Sequence, residues 1–149
     1  MLYEDENPYN VIEPGKRPRA TLTPALAIKD KKPFLSFAVQ GGDTQDQNLL
    51  QFFLNMVEFE MNLQESAEAA NVNSYQMYSS FGTHSKEAGR IVVRDDTPPW
   101  VIKDLRSKGY NVVTRRLTSG PINAIWFDHK NGTMWGGSSN FGEDYGIGW

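Results

Sequence analysis

One junction constrains this chain more than any other feature: an apolar strand that ends in two glycines and continues almost at once as an apolar helix. Phe34-Leu35-Ser36-Phe37-Ala38-Val39 reads as a buried strand, Gln40-Gly41-Gly42-Asp43 as the bend, and Leu49 to Phe59 as the body of the helix. Paired glycines let the backbone turn sharply and leave room for another molecule against the peptide groups. The helix start turns its unpaired N–H groups toward the same spot, which suits negative charge. An enzyme that attacks a carbonyl needs such a donor pair facing the developing oxyanion. The alternative is a tight strand-to-helix turn that binds nothing.

A length of 149 residues suits one domain or part of one, and 8 Phe, 6 Tyr and 4 Trp suffice for a core. Acidic and basic residues are interspersed at a net charge of −3. No basic stripe points to nucleic acid, and no polybasic amphipathic helix points to a membrane surface. The Leu49–Phe59 stretch is too short and too polar to span a bilayer. Absence of cysteine excludes disulfides, thiolate metal sites and a cysteine nucleophile. The acidic start, Met1-Leu2-Tyr3-Glu4-Asp5-Glu6, has no apolar signal-peptide core, and the compartment stays open.

Residues 1–19, rich in Pro, Asn and charge, read as an extended lead-in to the unit over 20–149. A hairpin is expected from Leu22 to Lys29 and Phe34 to Val39 around Asp30-Lys31-Lys32-Pro33. Asp43 is the expected N-cap of the first helix, which is apolar around most of its circumference and should pack on more than one side. Asn62 should cap a short helix, Leu63 to Ala70, that turns Leu63, Ala67 and Ala70 inward and Gln64, Glu65 and Glu68 to water. Further strands are expected at Ser74–Tyr78, Arg90–Arg94 and Asn111–Arg115, with a helix from Trp100 to Lys108 behind Pro98-Pro99 and closed by Gly109. A final hairpin joins Ile122–Phe127 to Thr133–Gly136 through Asn131-Gly132. Strands and helices interleaved without regular βαβ spacing favour an α+β fold.

Three blocks, in order, resemble one family. They are Pro14-Gly15-Lys16-Arg17-Pro18-Arg19-Ala20-Thr21-Leu22-Thr23-Pro24; Gly41-Gly42 with Leu50-Gln51 and Met61-Asn62-Leu63-Gln64-Glu65-Ser66; and Ile122-Asn123-Ala124-Ile125 with Met134-Trp135-Gly136-Gly137-Ser138. Over residues 8–149 the chain is similar to the C-terminal part of the small subunit of γ-glutamyltransferases (γ-glutamyltranspeptidases), acylase-like relatives included. The resemblance implies part of a four-layer αββα sandwich of the N-terminal-nucleophile hydrolase type. A threonine freed by self-cleavage of the precursor would attack a γ-glutamyl amide, its own α-amine acting as base, and pass the acyl group to water or an amine.

Carried over by the resemblance, Gly41 and Gly42 would form the oxyanion hole. Ala20 and Thr21 fall where many members have two serines that hold the substrate's α-carboxylate. Ala20 lacks the hydroxyl, a loss of about 1–3 kcal/mol for a bond to a charged group, which leaves room for another acyl group. Ser139-Asn140-Phe141 replaces the family's Asp-Pro-Arg, expected as a change of surface or packing, and Asp43-Thr44-Gln45-Asp46-Gln47 replaces its Ser-Arg. The nucleophile block is absent from the sequence, so the chain alone is expected to be inactive. Its partners would be the rest of the precursor and a small γ-glutamyl or acyl amide, with a homo-oligomer expected of the chain in isolation. A glutaryl or cephalosporin acylase and a non-catalytic stand-alone remnant are the rival readings.

Other candidates point elsewhere. His84 and His129 are far apart and expected at the surface, Asp95-Asp96 reads as a turn, and Glu58, Glu60, Glu65 and Glu68 as a wet helix face. Gly136-Gly137-Ser138-Ser139 follows a strand and opens no helix, so it is a poor phosphate loop. Trp126, Phe127, Trp135 and Trp149 are expected to pack the sheet. No metal site or cofactor is expected.

Overall fold

The computed structural model describes residues 11–18, 20–142 and 146–147. In chain order the elements are β1 (Ala25–Lys29), β2 (Lys32–Val39), α1 (Gln45–Val57), α2 (Leu63–Glu68), β3 (Val72–Ser74), β4 (Arg90–Arg94), α3 (Pro99–Ser107), β5 (Asn111–Arg115), β6 (Ile122–Asp128) and β7 (Thr133–Ser138). They form an α+β fold with an antiparallel sheet ordered β1-β2-β6-β7 and a smaller sheet ordered β3-β4-β5. In the smaller sheet β4 and β5 run parallel, joined by α3 as a crossover helix, and β3 pairs antiparallel to β4.

Turn chemistry sets both hairpins. Asp30 and Lys31 both adopt positive φ, 52° and 63°, the two-residue turn whose twist matches paired strands. In the β6–β7 turn the Asp128 carboxylate accepts from the Lys130 N–H (3.0 Å), the Asn131 N–H (3.2 Å) and Asn131 Nδ2 (2.7 Å). Those donors, the Asn131 side chain foremost, hold its pKa below the ordinary value.

Strand alternation gives the larger sheet two faces. One carries Leu35, Val39, Ile122 and Ala124, which bury against Leu49 and Phe52 of α1 and Leu63 and Ala67 of α2. Phe37 stacks beside Phe53 at 5.9 Å between ring centroids, and Trp126 lies 6.1 Å from Trp135. Gly137 admits α2 closely: a Cβ there would lie 2.8 Å from Leu63 Cγ. The second core is small, with Ile91, Val93 and Val112 covered by Ile102 and Leu105 of α3.

Glutamine side chains fasten the helices to the sheet edges. Gln47 accepts from the Ser74 N–H at 2.7 Å and donates to the Ser74 carbonyl at 3.1 Å. One turn later Gln51 makes the same double bond to Val72, both at 2.8 Å. Gln64 of α2 treats Ser138 of β7 alike, donating at 2.8 Å and accepting at 3.4 Å. A carboxamide carries one acceptor and one donor side, so it satisfies an edge residue as a neighbouring strand would.

Several expectations need correction. The N-cap of α1 is Thr44, not Asp43, because Asp43 turns its carboxylate to Ser80. The third strand is Val72–Ser74 instead of Ser74–Tyr78, since the backbone of these three residues is what Gln47, Gln51 and β4 pair with. β1 begins at Ala25, three residues later than expected. Among the described residues α1 meets the larger sheet and α2 through Leu49 and Phe52 and β3 through Gln47 and Gln51, so it packs on more than one side as expected, though Leu50 stays 57% exposed. In α2 the inward residue after Leu63 is Ser66 as well as Ala67, and Ala70 is exposed beyond the helix end. Its Asn62 cap forms as expected, a reciprocal capping box with Glu65. Trp149 and most of the lead-in lie outside the described residues.

Phe52, 1% exposed, is the largest fully buried side chain among the described residues. Phe52→Ala should lower stability by about 3–5 kcal/mol in urea unfolding, because it removes both buried area and the packing of α1 on β2.

Candidate functional site

The end of β2, the start of α1 and the leading loop of β6 meet at Gln40-Gly41-Gly42. Three contacts fix the bend. The Gln40 N–H donates to the Pro121 carbonyl at 3.1 Å, one step beyond the Val39–Ile122 pair of the β2–β6 ladder. Gln45, 7% exposed in the first turn of α1, reaches back with Nε2 to the Val39 carbonyl at 3.1 Å. The Gln45 N–H donates to the Gly42 carbonyl at 3.1 Å and closes the turn.

Space at the bend is as restricted as its hydrogen bonding. A Cβ at Gly41 would stand 3.2 Å from Gln45 Cγ and 3.3 Å from Thr44 Oγ1, and one at Gly42 would stand 3.0 Å from Phe81 Cε2. Gly120 is tighter still, with a Cβ position 2.3 Å from the Gln40 carbonyl oxygen. Only a glycine lets that loop approach the strand end so closely.

Neither the Gly41 nor the Gly42 N–H meets an acceptor among the described residues. Gly41 is exposed and Gly42 half-buried. Two adjacent donors, held by a hydrogen-bonded bend at a helix start, can polarise a carbonyl and receive the negative charge that develops on its oxygen.

Ala20 and Thr21 are both exposed and lie in extended chain outside β1. The β1–β2 register, which sets Ala25 opposite Phe37, would bring residue 21 level with Gly41 if continued toward the N-terminus. The Thr23 hydroxyl, two residues before β1, is buried and meets no partner among the described residues. Sequence reasoning missed four residues at the bend: Gln45, whose polar side chain reads as ordinary helix surface; Gly120 and Pro121, which read as a loop; and Phe81, in a polar stretch without periodicity. Only the dipeptide Gly120-Pro121, a turn signal just ahead of a strand, carried a trace of this.

The remaining candidates do not gather here. His84 is exposed with Nδ1 2.8 Å from the Ser79 carbonyl oxygen, and His129 is exposed with Nε2 2.6 Å from that of Pro33. Asp96 is paired with Arg94, whose guanidinium holds the carboxyl below its ordinary pKa, at the turn after β4. Glu65 belongs to the capping box, and Glu58 and Glu60 are exposed. Ser139 is a packing change, as one of the two expected alternatives had it: 1% exposed, it donates its N–H to the Ile122 carbonyl and accepts with Oγ from the Ile122 N–H, both at 2.9 Å. Among the described residues no group of three His, Asp or Glu side chains is arranged as a metal would require.

The chain is similar to several known proteins. The gamma-glutamyltranspeptidase family model matches residues 1–149. A glutathione hydrolase proenzyme of Bacillus subtilis (strain 168) is 31% identical over 140 residues, which cover 93% of this chain and 22% of the relative. An acylase ACY 1 proenzyme of Pseudomonas sp. (strain V22) is 28% identical over 125 residues, 84% of this chain and 20% of the relative. The chain thus spans about a fifth of the curated relatives it matches. In fold it is similar to the gamma-glutamyltranspeptidase from Pseudomonas nitroreducens complexed with L-DON, with a TM-score of 0.74 at 22% identity over 96% of this chain and 73% of that one.

The clearance at Gly120 gives a direct test of how the bend is held. Gly120→Ala should cost about 1–3 kcal/mol in thermal or urea unfolding, since the clash is with main chain and no side chain can yield. The same substitution should shift the backbone amide resonances of Gly41 and Gly42, read by NMR.

Proposed function

The chain belongs to the gamma-glutamyltranspeptidase family, and on that premise we propose that it is the C-terminal part of the catalytic small subunit of an acyl-transferring amide hydrolase. Its substrates would be γ-glutamyl amides of the glutathione type. The observation that carries this reading is the pair of unengaged N–H groups at Gly41 and Gly42, held in a bend that three hydrogen bonds and three tight glycines define.

In this reading a threonine from the rest of the precursor attacks the amide carbonyl. Its oxygen–carbon bond forms while the carbonyl oxygen takes on negative charge, and Gly41 and Gly42 stabilise that oxygen with their N–H groups. The amine leaves with the proton of the threonine hydroxyl. Water or a second amine then opens the ester. Thr21 would donate its hydroxyl to the carboxylate at the far end of the acyl group, level with the bend.

The open face of the larger sheet supports a further part of the proposal, that the rest of the precursor covers it. Leu26 is 58%, Ile125 44% and Met134 69% exposed on that face. Until it is covered, such a patch would favour self-association of the isolated chain.

A second reading, an acylase acting on glutaryl-type amides, is favoured by Ala20, which offers no hydroxyl where two would grip an amino-acid carboxylate. The full-length protein assayed on glutathione and on a glutaryl amide separates the two readings. Failure on both leaves the non-catalytic remnant.

Purified chain without the rest of the precursor should release no chromophore from a γ-glutamyl anilide, and clear turnover would place the nucleophile inside it. In the full-length, processed protein Thr21→Ala should raise KM by about ten- to a hundredfold, the scale of a hydrogen bond to a charged group, with a smaller effect on kcat. An unchanged KM would remove Thr21 from the acyl site.

A further inference from the structure

The loop that follows β3 returns to the glycine bend and lays an aromatic ring on it. Phe81 Cε2 stands 3.0 Å from where a Cβ of Gly42 would be, so the ring packs directly on the α-carbon of one of the two donor residues. The ring is nonetheless 40% exposed.

This placement is built. Asp43, next to the glycines, accepts from the Ser80 N–H at 2.8 Å with one carboxylate oxygen and from the Ser80 hydroxyl with the other. Within the loop, Ser79 Oγ accepts from the Phe81 N–H at 3.1 Å, and the Ser79 N–H donates to the Ser85 carbonyl at 2.9 Å. Asp43 would ordinarily cap the helix, yet its carboxylate is spent on the loop instead, and Thr44 occupies the N-cap with no side-chain bond to the described residues.

The two flanks of the bend differ in character. The segment containing Thr21 leads into β1, along one edge of β2. The Phe81 loop comes from β3, which is tied to α1 through Gln47 and, through Asn73, to the Thr118 carbonyl ahead of β6, on the other edge. An acyl group that reaches Thr21 leaves the Phe81 flank to the other half of the amide.

We propose that Phe81 is a specificity-determining wall for the amine half of the reaction, the departing amine in acylation and the accepting amine in transfer, and that Asp43 positions it through Ser80. This rests on the acyl-transfer reading above. The wall is apolar and uncharged, so it fits amines with aromatic or large aliphatic substituents and gives little to ammonia or water. It touches neither the acyl chain nor the developing oxyanion. Bonds are exchanged as already described: the carbon–nitrogen bond of the donor breaks as the ester forms, and a new one forms with the acceptor as the ester breaks.

The test uses the full-length, processed protein and two donor series, one acyl group on amines from ammonia to an anilide, and one anilide on several acyl groups. Phe81→Ala should reduce kcat/KM on the anilide by about tenfold more than on the primary amide, the scale of one lost apolar contact set. Across the acyl series its effect should be uniform. Phe81→Tyr, which keeps the ring, should restore the amine preference. Asp43→Asn, which weakens the hold on Ser80, should reproduce the Phe81→Ala pattern in milder form and make the 79–85 loop more sensitive to limited proteolysis. An equal loss on all amines, or a loss that follows the acyl group, would overturn the proposal. If the unsubstituted protein is active on these amides and Phe81→Ala changes nothing, the wall alone is wrong. If the unsubstituted protein turns over no amide, the acyl-transfer reading fails and takes the wall with it.

Discussion

Everything at the bend depends on how α1 is fastened. The helix buries Leu49 and Phe52 on the larger sheet and holds β3 of the smaller one through Gln47 and Gln51. Among the described elements no strand of one sheet packs against a strand of the other, and α1 is the helix that meets strands of both. Apolar burial alone would leave the helix free to slide, because it is non-directional. The two glutamines remove that freedom, since each matches one edge residue with both a donor and an acceptor, one helical turn apart. The axial position of α1 is thereby set, and with it the height at which Gln45 meets the Val39 carbonyl.

A fixed helix start makes the glycine bend a rigid part. Its N–H groups keep their direction because neighbouring groups are already satisfied: the Gln40 N–H by Pro121, the Val39 carbonyl by Gln45, the Gly42 carbonyl by the Gln45 N–H. Under the proposed reading this matters because donors that need no reorientation stabilise a developing charge more than mobile ones, reorganisation being complete before the reaction begins. Gly120 helps to hold the bend as well. Its loop presses on the Gln40 peptide, and the space a side chain would take is what the packing uses.

The elements were largely legible because their signals are local. Paired apolar runs around Asp30-Lys31 and Asn131-Gly132 give hairpins, Asn62 with Glu65 gives a helix start, and Pro98-Pro99 ahead of Gly109 brackets a helix; each is a matter of neighbouring residues. The glycine bend was legible for the same reason. What failed depended on distant partners. Asp43 has every local property of an N-cap, but Ser80, 37 residues away, takes its carboxylate. β3 is only three residues long and is defined by glutamines of α1 and by β4, none of which a reading of residues 71–89 reveals. Gln45 and Gly120 matter through the Val39 carbonyl and the Gln40 peptide, and no periodicity announces such contacts.

The pattern on the larger sheet carries one more step. A sheet covered on a single face should read as apolar and polar in alternation. Here β1 puts Ala25 and Ala27 toward the helices and Leu26 and Ile28 away from them, the larger apolar residues on the uncovered side. Ile125, Met134 and Phe127 continue that side across β6 and β7, where water would favour Thr, Lys or Glu. Such a surface is unfavourable in isolation and favourable beneath a second layer. The outer side of α1, with Leu50 and Val57 exposed, has the same character. Under the proposed reading both faces belong to a larger assembly.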